Sequence, residues 1–223
     1  MTSCHFYVNY TCVTMSKLFF AAISELLDPE EFLKLRRIGG HKVYHLEGNA
    51  LIHTEMVYYR ACEMFSDDSL MCKVALLHDI GKIYTSVYHG PDDWSYPNHA
   101  LAGAAQLHQF VSPGDPDFET IGWYIKNHIK PMFWRGDYLT KEIASLNCPA
   151  TCSVINLLKL VVCDVVGSVS VEPQDKLLQF LTTLIGQYEY AIAEAAKYGL
   201  EDEVLRCINA GMSADEALDE WVK

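Results

Sequence analysis

Long apolar runs are missing from this chain. No stretch approaches the roughly 20 apolar residues that a membrane span requires, so no membrane partner is expected. Basic residues are scarce too, with 17 Lys and Arg against 29 Asp and Glu and a formal net charge of -12. Such a surface does not favour sequence-independent binding to nucleic acid or to an anionic bilayer. A phosphorylated substrate is therefore expected to be small and gripped locally. The eight cysteines form no framework: Cys148 and Cys152 have no second Cys or His pair at zinc-finger spacing. Several others fall in apolar runs, where a free thiol packs as a small hydrophobe. A basic leader ahead of an apolar run is also lacking, and a reduced, cytoplasmic protein is expected. Strand signals almost vanish after residue 15, and there are no internal repeats.

What is present is apolar and helical. Half of the residues are hydrophobic and 12% are aromatic, enough for a sizeable core. Residues 6–14 are β-branched and aromatic, without an evident partner strand. Residues 1–14 are therefore expected to form an arm or a non-native extension, with Ser16 capping a helix from Lys17 to Leu27. Asp28 and Pro29 open a second helix, ending at Ile38. A loop, His41 to Asn49, precedes a helix running to about Phe65. Ser66 to Ser69 makes a turn and cap. Further helices are expected over Asn98 to Val111, Phe118 to Ile129, Cys152 to Ser168 and Gln174 to Tyr198, with a short one from Thr140. A terminal hairpin turns around Gly211. Tyr84 to Pro97 and residues 131–138 read as aromatic loops. This describes an all-α fold: a core domain over 15–172 and C-terminal helices over 173–223 that either cap the core or form a homodimer face.

The pattern centres on Val74-Ala-Leu-Leu-His78-Asp79-Ile-Gly81-Lys82. Four apolar residues run into an adjacent imidazole and carboxylate, whose burial is costly unless the charge is paired. Gly81 is suited to a left-handed helix end, which would leave Lys82 free to reach an anion. Taken alone, the pair is explained by a His-Asp hydrogen bond. The helices also present His53, His99 and His128, however, and Asp164 interrupts the most apolar helix of the chain. Such clustering of titratable groups marks a site. Imidazole with carboxylate suits Mn, Fe, Co, Ni or Zn, so one or two divalent transition-metal ions are expected.

These residues resemble the signature of the HD superfamily of metal-dependent phosphohydrolases, whose domain is an all-α helical bundle. The signature is a first His, then His-Asp, then a distant Asp, here His53, His78-Asp79 and Asp164. The stretch His45-Leu-Glu47-Gly48-Asn49-Ala-Leu-Ile-His53-Thr54 is similar to the HD domain attached to bacterial tRNA nucleotidyltransferases. The 223 residues leave no room for the nucleotidyltransferase domain itself, so CCA addition is not expected. The resemblance implies His53, His78, Asp79 and Asp164 as ligands of a first metal. His99 and His128 would serve a second, with Asp79 bridging. The Gly-Tyr-Pro motif of the cyclic-di-GMP phosphodiesterase branch is missing.

The implied activity is hydrolysis of a phosphate ester of a nucleotide or similar small phosphorylated compound by metal-activated water. Asp79 and Lys82 are the expected catalytic residues. Lys82, Glu47, Lys126, Lys130 and Arg135 are the candidate substrate contacts. Glu47 reads equally as an acid near a positive helix end. Trp94, Tyr96, Phe133 and Trp134 either stack on a base or fill the rim of the core. His41, His45, His89 and His108 are left without a role. Rival readings are a 2′,3′-cyclic phosphodiesterase or 2′-nucleotidase, a di-iron HD-type oxygenase, and a metal-bearing regulatory module without turnover.

Overall fold

The computed structural model describes residues 12–41, 43, 45–66, 68–91, 93–171 and 173–222. Its helices are α1 (Cys12–Ser24), α2 (Pro29–Phe32), α3 (Ala50–Met64), α4 (Ser69–Leu77), α5 (Lys82–Thr85), α6 (His99–Gln106), α7 (Phe118–Asn127), α8 (Leu139–Ala144), α9 (Val154–Val166), α10 (Asp175–Ala196), α11 (Glu201–Asn209) and α12 (Ala214–Trp221). Short 3-10 turns at Leu33–Arg37, Leu107–Gln109, Lys130–Phe133 and Gly136–Tyr138 link them. The architecture is all-α. Among the described residues the strands are two, β1 (Val87–Gly90) and β2 (Asp93–Ser95), paired antiparallel.

Side-chain caps mark five of the twelve helix starts. Asp28, Asn49, Asp68 and Ser153 each accept a first-turn N–H through a side-chain oxygen. Ser213 and Glu216 form a reciprocal capping box at α12. The first helix begins earlier than expected: α1 starts at Cys12, so Ser16 lies inside it rather than at its start. The β-branched character of residues 12–14 is a weak preference that the following helix overrides. The rest of the expected N-terminal arm, residues 1–11, lies outside the described residues. The expected loop from Tyr84 to Pro97 is also more ordered than its composition suggests, since α5 and the hairpin occupy most of it.

The core gathers around α9, with Val154, Leu157, Leu158, Leu160 and Val161 fully buried. Each such side chain contributes about 1.5–3 kcal/mol through burial. Helix α3 packs on α4 and α9, α6 on α7, and α10 joins α9 to the terminal pair α11 and α12. The chain therefore forms a ligand-bearing layer (α3, α4, α6, α7, α9) braced from one side by the C-terminal helices.

Gly81 does not take the left-handed conformation. Its φ and ψ are -63° and -20°, and α5 starts directly after it. Its need is space: a Cβ there would stand 1.8 Å from the His99 carbonyl oxygen and 2.5 Å from Gly103 N. A Cβ on Gly103, within the small-residue run of α6, would stand 3.1 Å from Gly81 N and 3.0 Å from Ile125 Cγ2, a tight but less severe approach. This backbone contact brings the His78-Asp79 turn against the start of α6. It is what places His99 beside Asp79.

Candidate metal centre

Four helix ends and two helix interiors supply the site. His53 lies on α3, one turn past the Asn49 cap. His78 is the C-terminal cap of α4, and Asp79 follows it. His99 opens α6, His128 closes α7, and Asp164 sits in the last turn of α9. All are buried except His99, which is partly buried. The fold thus brings together all six residues expected as ligands.

Each oxygen of Asp79 faces a different histidine pair. Oδ2 stands 3.4 Å from His53 Nε2 and 3.3 Å from His78 Nε2. Oδ1 stands 3.3 Å from His99 Nε2 and 3.8 Å from His128 Nε2. Asp164 Oδ1 adds to the first pair, 3.0 Å from His53 Nε2 and 3.9 Å from His78 Nε2. Within each pair the Nε2 atoms are 3.4 Å and 3.3 Å apart.

The other ring nitrogens explain this convergence. Nδ1 of His78, His99 and His128 lies 2.7–2.9 Å from the carbonyl oxygens of Ala75, Tyr96 and Ile125. His53 Nδ1 lies 3.0 Å from Glu47 Oε1. A carbonyl or carboxylate can only accept, so Nδ1 carries a proton and Nε2 is the atom that faces inward, as a lone pair wherever it is itself unprotonated. Two facing lone pairs repel unless a cation lies between them. The donor set therefore fits a divalent metal, with His53, His78 and Asp79 around one position, Asp164 Oδ1 beside its two histidines, and Asp79, His99 and His128 around a second.

Glu47 is the orienting acid of the first pair. Oε1 also meets His45 Nδ1 at 3.0 Å, and Oε2 accepts the Val169 N–H, tying the loop to the end of α9. Gly48, with φ 119°, supplies the left-handed turn that returns the chain to the Asn49 cap. Burial would raise the Glu47 carboxyl, but His45, His53 and the backbone N–H hold it well below its usual value. Burial likewise opposes ionisation of Asp79, which Lys82 and His78 overcome, and of Asp164, which His53 overcomes. His53, His99 and His128 do not respond alike. Burial would lower His53, yet Asp164 and Glu47 raise it to about 9. Burial and the neighbouring His99 and His78 push His128 down to about 3, and burial lowers His99.

Lys82 is not a free cation beyond a helix end. It is buried, its Nζ lies 2.6 Å from Asp79 Oδ2, and it rests 4.5 Å above the Tyr96 ring. A cavity of about 450 Å³ opens over this floor and is lined in part by Asp79, Lys82, His99, His128 and Asp164. Lys126, Lys130 and Arg135 are not among its lining residues. Lys126 is exposed, and Arg135 donates to the carbonyls of Phe133 and Trp134. The aromatics divide: Tyr96 and Phe133 line the cavity, whereas Trp134 is buried and Trp94 packs against Gly39 and Tyr88. His41 and His45, unassigned from the sequence, also reach the cavity wall. The spacing of His45 two residues before Glu47 was the available signal. His89 bonds Ser95 on the hairpin, and His108 is exposed with Nδ1 on the Ala105 carbonyl.

No helix among the described residues is long and apolar enough to cross a membrane. Comparison with curated proteins and with solved structures gave no match. A family model described as the HD domain matches residues 50–164, just over half of the chain and the span that runs from α3 to Asp164. The chain belongs to the HD domain family, a superfamily of metal-dependent phosphohydrolases.

Proposed function

We propose that this protein hydrolyses a phosphate ester of a nucleotide or a similar small phosphorylated compound, with one or two divalent metal ions held by His53, His78, Asp79, His99, His128 and Asp164. The observation that carries this reading is the division of Asp79, one oxygen toward each of two histidine pairs whose lone pairs converge. Divalent cations bound there would make water a usable nucleophile near neutral pH and draw charge from the phosphoryl oxygens. The protein's own groups do the rest. Glu47 and three backbone carbonyls fix the imidazoles so that no reorganisation is needed at the moment of reaction. Lys82, anchored by Asp79 at the cavity floor, is placed to hold a phosphoryl oxygen.

The test is metal analysis of the purified chain combined with a phosphate-release screen over nucleotides and simple phosphate esters. Expected are one or two transition-metal ions per chain and phosphate release that chelation abolishes. A metal-loaded protein that releases no phosphate from any ester would instead be a regulatory module. Dioxygen consumption without phosphate release would identify the oxygenase alternative.

A further inference from the structure

The cavity over the metal ligands differs sharply between floor and wall. Its floor is polar and charged, through Asp79, Lys82, His99, His128 and Asp164. Most of its wall is apolar, formed by Tyr96, Ile129, Met132, Phe133, Val165 and Leu177, with His41, His45, Ser95, Ser168 and Gln174 as its polar members. Among the described residues, the sole lysine or arginine lining it is Lys82, held at the floor with its Nζ 2.6 Å from Asp79 Oδ2. Phe133 is 68% exposed at this wall, an aromatic surface left open where a core residue would be covered. The volume of about 450 Å³ suits one small molecule.

From this contrast we infer that the site takes a substrate with a single phosphoryl group carried on an uncharged, ring-bearing body, and selects against di- and triphosphates. The inference rests on the phosphohydrolase reading and narrows its substrate class. One phosphoryl group can be neutralised at the floor by the metal ions and Lys82. A second or third would extend along a mostly apolar wall that offers no lysine or arginine among the described residues, and a charge removed from water without a charged partner is strongly disfavoured. The net charge of -12 adds a further penalty for a polyanion. A small, heavily hydrated body such as glycerol would leave the wall uncovered, whereas a flat ring fills it and removes apolar surface from water.

The experiment uses the metal-loaded full chain and two readouts. Phosphate release is measured from 1-naphthyl phosphate, glycerol 3-phosphate, a nucleoside monophosphate and the matching triphosphate. Binding is measured by calorimetry with 1-naphthylmethylphosphonate, whose P–C bond is not hydrolysed, and with a nucleoside triphosphate carrying methylene at both anhydride bridges, titrated briefly enough that its remaining ester stays intact. Expected is a kcat/KM for the ring-bearing monophosphates that exceeds both others by roughly 10–200-fold, the range one apolar pocket can supply. The phosphonate should also bind more tightly than the bridged triphosphate. Gln174 and Leu177 line the wall, so Gln174→Arg and Leu177→Lys should each shift the preference toward the triphosphate by about 10-fold, the gain from one added ionic contact. Equal or better use of triphosphate or glycerol phosphate by the parent would overturn the inference and leave the phosphohydrolase reading intact. Tight phosphonate binding with no phosphate release from any ester would overturn that reading and keep the binding preference. Neither binding nor release would overturn both.

Discussion

His53 and His78 face each other across 3.4 Å, and His99 and His128 across 3.3 Å, yet the two pairs sit in opposite surroundings. The first pair is enclosed by Asp164, Glu47 and Asp79 Oδ2. The second has Asp79 Oδ1 as its near carboxylate oxygen and takes its orientation from backbone carbonyls. In the first half carboxylates pull His53 up to about 9, while in the second burial pushes His128 down to about 3. One half is therefore an anionic cage and the other a neutral one. A cation gains more from the anionic cage, so the two positions should fill in order, the His53/His78/Asp164 position first.

Asp79 is the member the two halves share, and its removal should produce the largest effect. Asp79→Ala is expected to release metal from both positions and reduce activity to background. His78→Ala should empty the first position and, with it, activity. Elemental analysis and the phosphate assay check both variants. Full metal and full activity in each would refute the centre described here.

Removing the neutral half alone is the next step down. His99→Ala and His128→Ala are each expected to lower metal content by one ion relative to the parent and leave the first position occupied. If the parent holds a single ion and both variants keep it, the centre is mononuclear, and His99 and His128 face the substrate instead. A smaller effect separates binding from turnover. Lys82→Met should keep the metal but slow phosphate release by about 10²–10³, the usual loss for one contact to charge that develops in the transition state. Normal turnover would reduce Lys82 to a counter-charge for Asp79.

The candidate ligands stood out in the sequence because a titratable group inside an apolar helix is too costly to bury without a charged or metal partner. Asp164 in α9 is the clearest case. Supporting residues were less legible because their roles depend on the orientation of one element against another. Lys126 lies near His128 in sequence, but two residues along a helix is a rotation of roughly 200°, so it points away from the face that carries His128. Gly81 looked like a helix terminator, since sequence shows the glycine but not the α6 backbone pressed against it. The hairpin β1–β2 is too short for a period-two pattern to stand out. The helical phases of α4, α7 and α9, by contrast, needed no tertiary knowledge.

Glu47 acts on the anionic half alone, which makes it a selective probe. Glu47→Gln preserves shape but replaces a carboxylate that meets His53 Nδ1 and accepts from Val169. The expected result is a 10–100-fold weaker first metal site, the common consequence of removing an orienting acid, with the second little changed. Competitive titration with a metal-binding dye resolves the two affinities. An equal loss at both sites would indicate a disturbed fold rather than a lost orientation.

The smallest expected effect is a difference in proton release. In the metal-free chain His53 is raised to about 9, since the acceptors Asp164 and Glu47 outweigh burial. Its unfolded value is about 6.5. A raised folded value means that protonation of His53 stabilises the metal-free fold fully below about pH 6.5, and that this contribution is lost as the pH rises through about 9. Metal ligation requires the unprotonated Nε2. At pH 7.5 the first ion should therefore displace about one proton, and above pH 9 almost none. His99 and His128, both lowered, are already neutral at pH 7.5, so the second ion should displace no histidine proton and release only what its bound water gives up. Calorimetric titration in buffers of different ionisation enthalpy reads the proton count for each ion separately. Equal release at both positions would erase the electrostatic contrast between the two halves, whereas a larger release with the first ion would tie that contrast to His53.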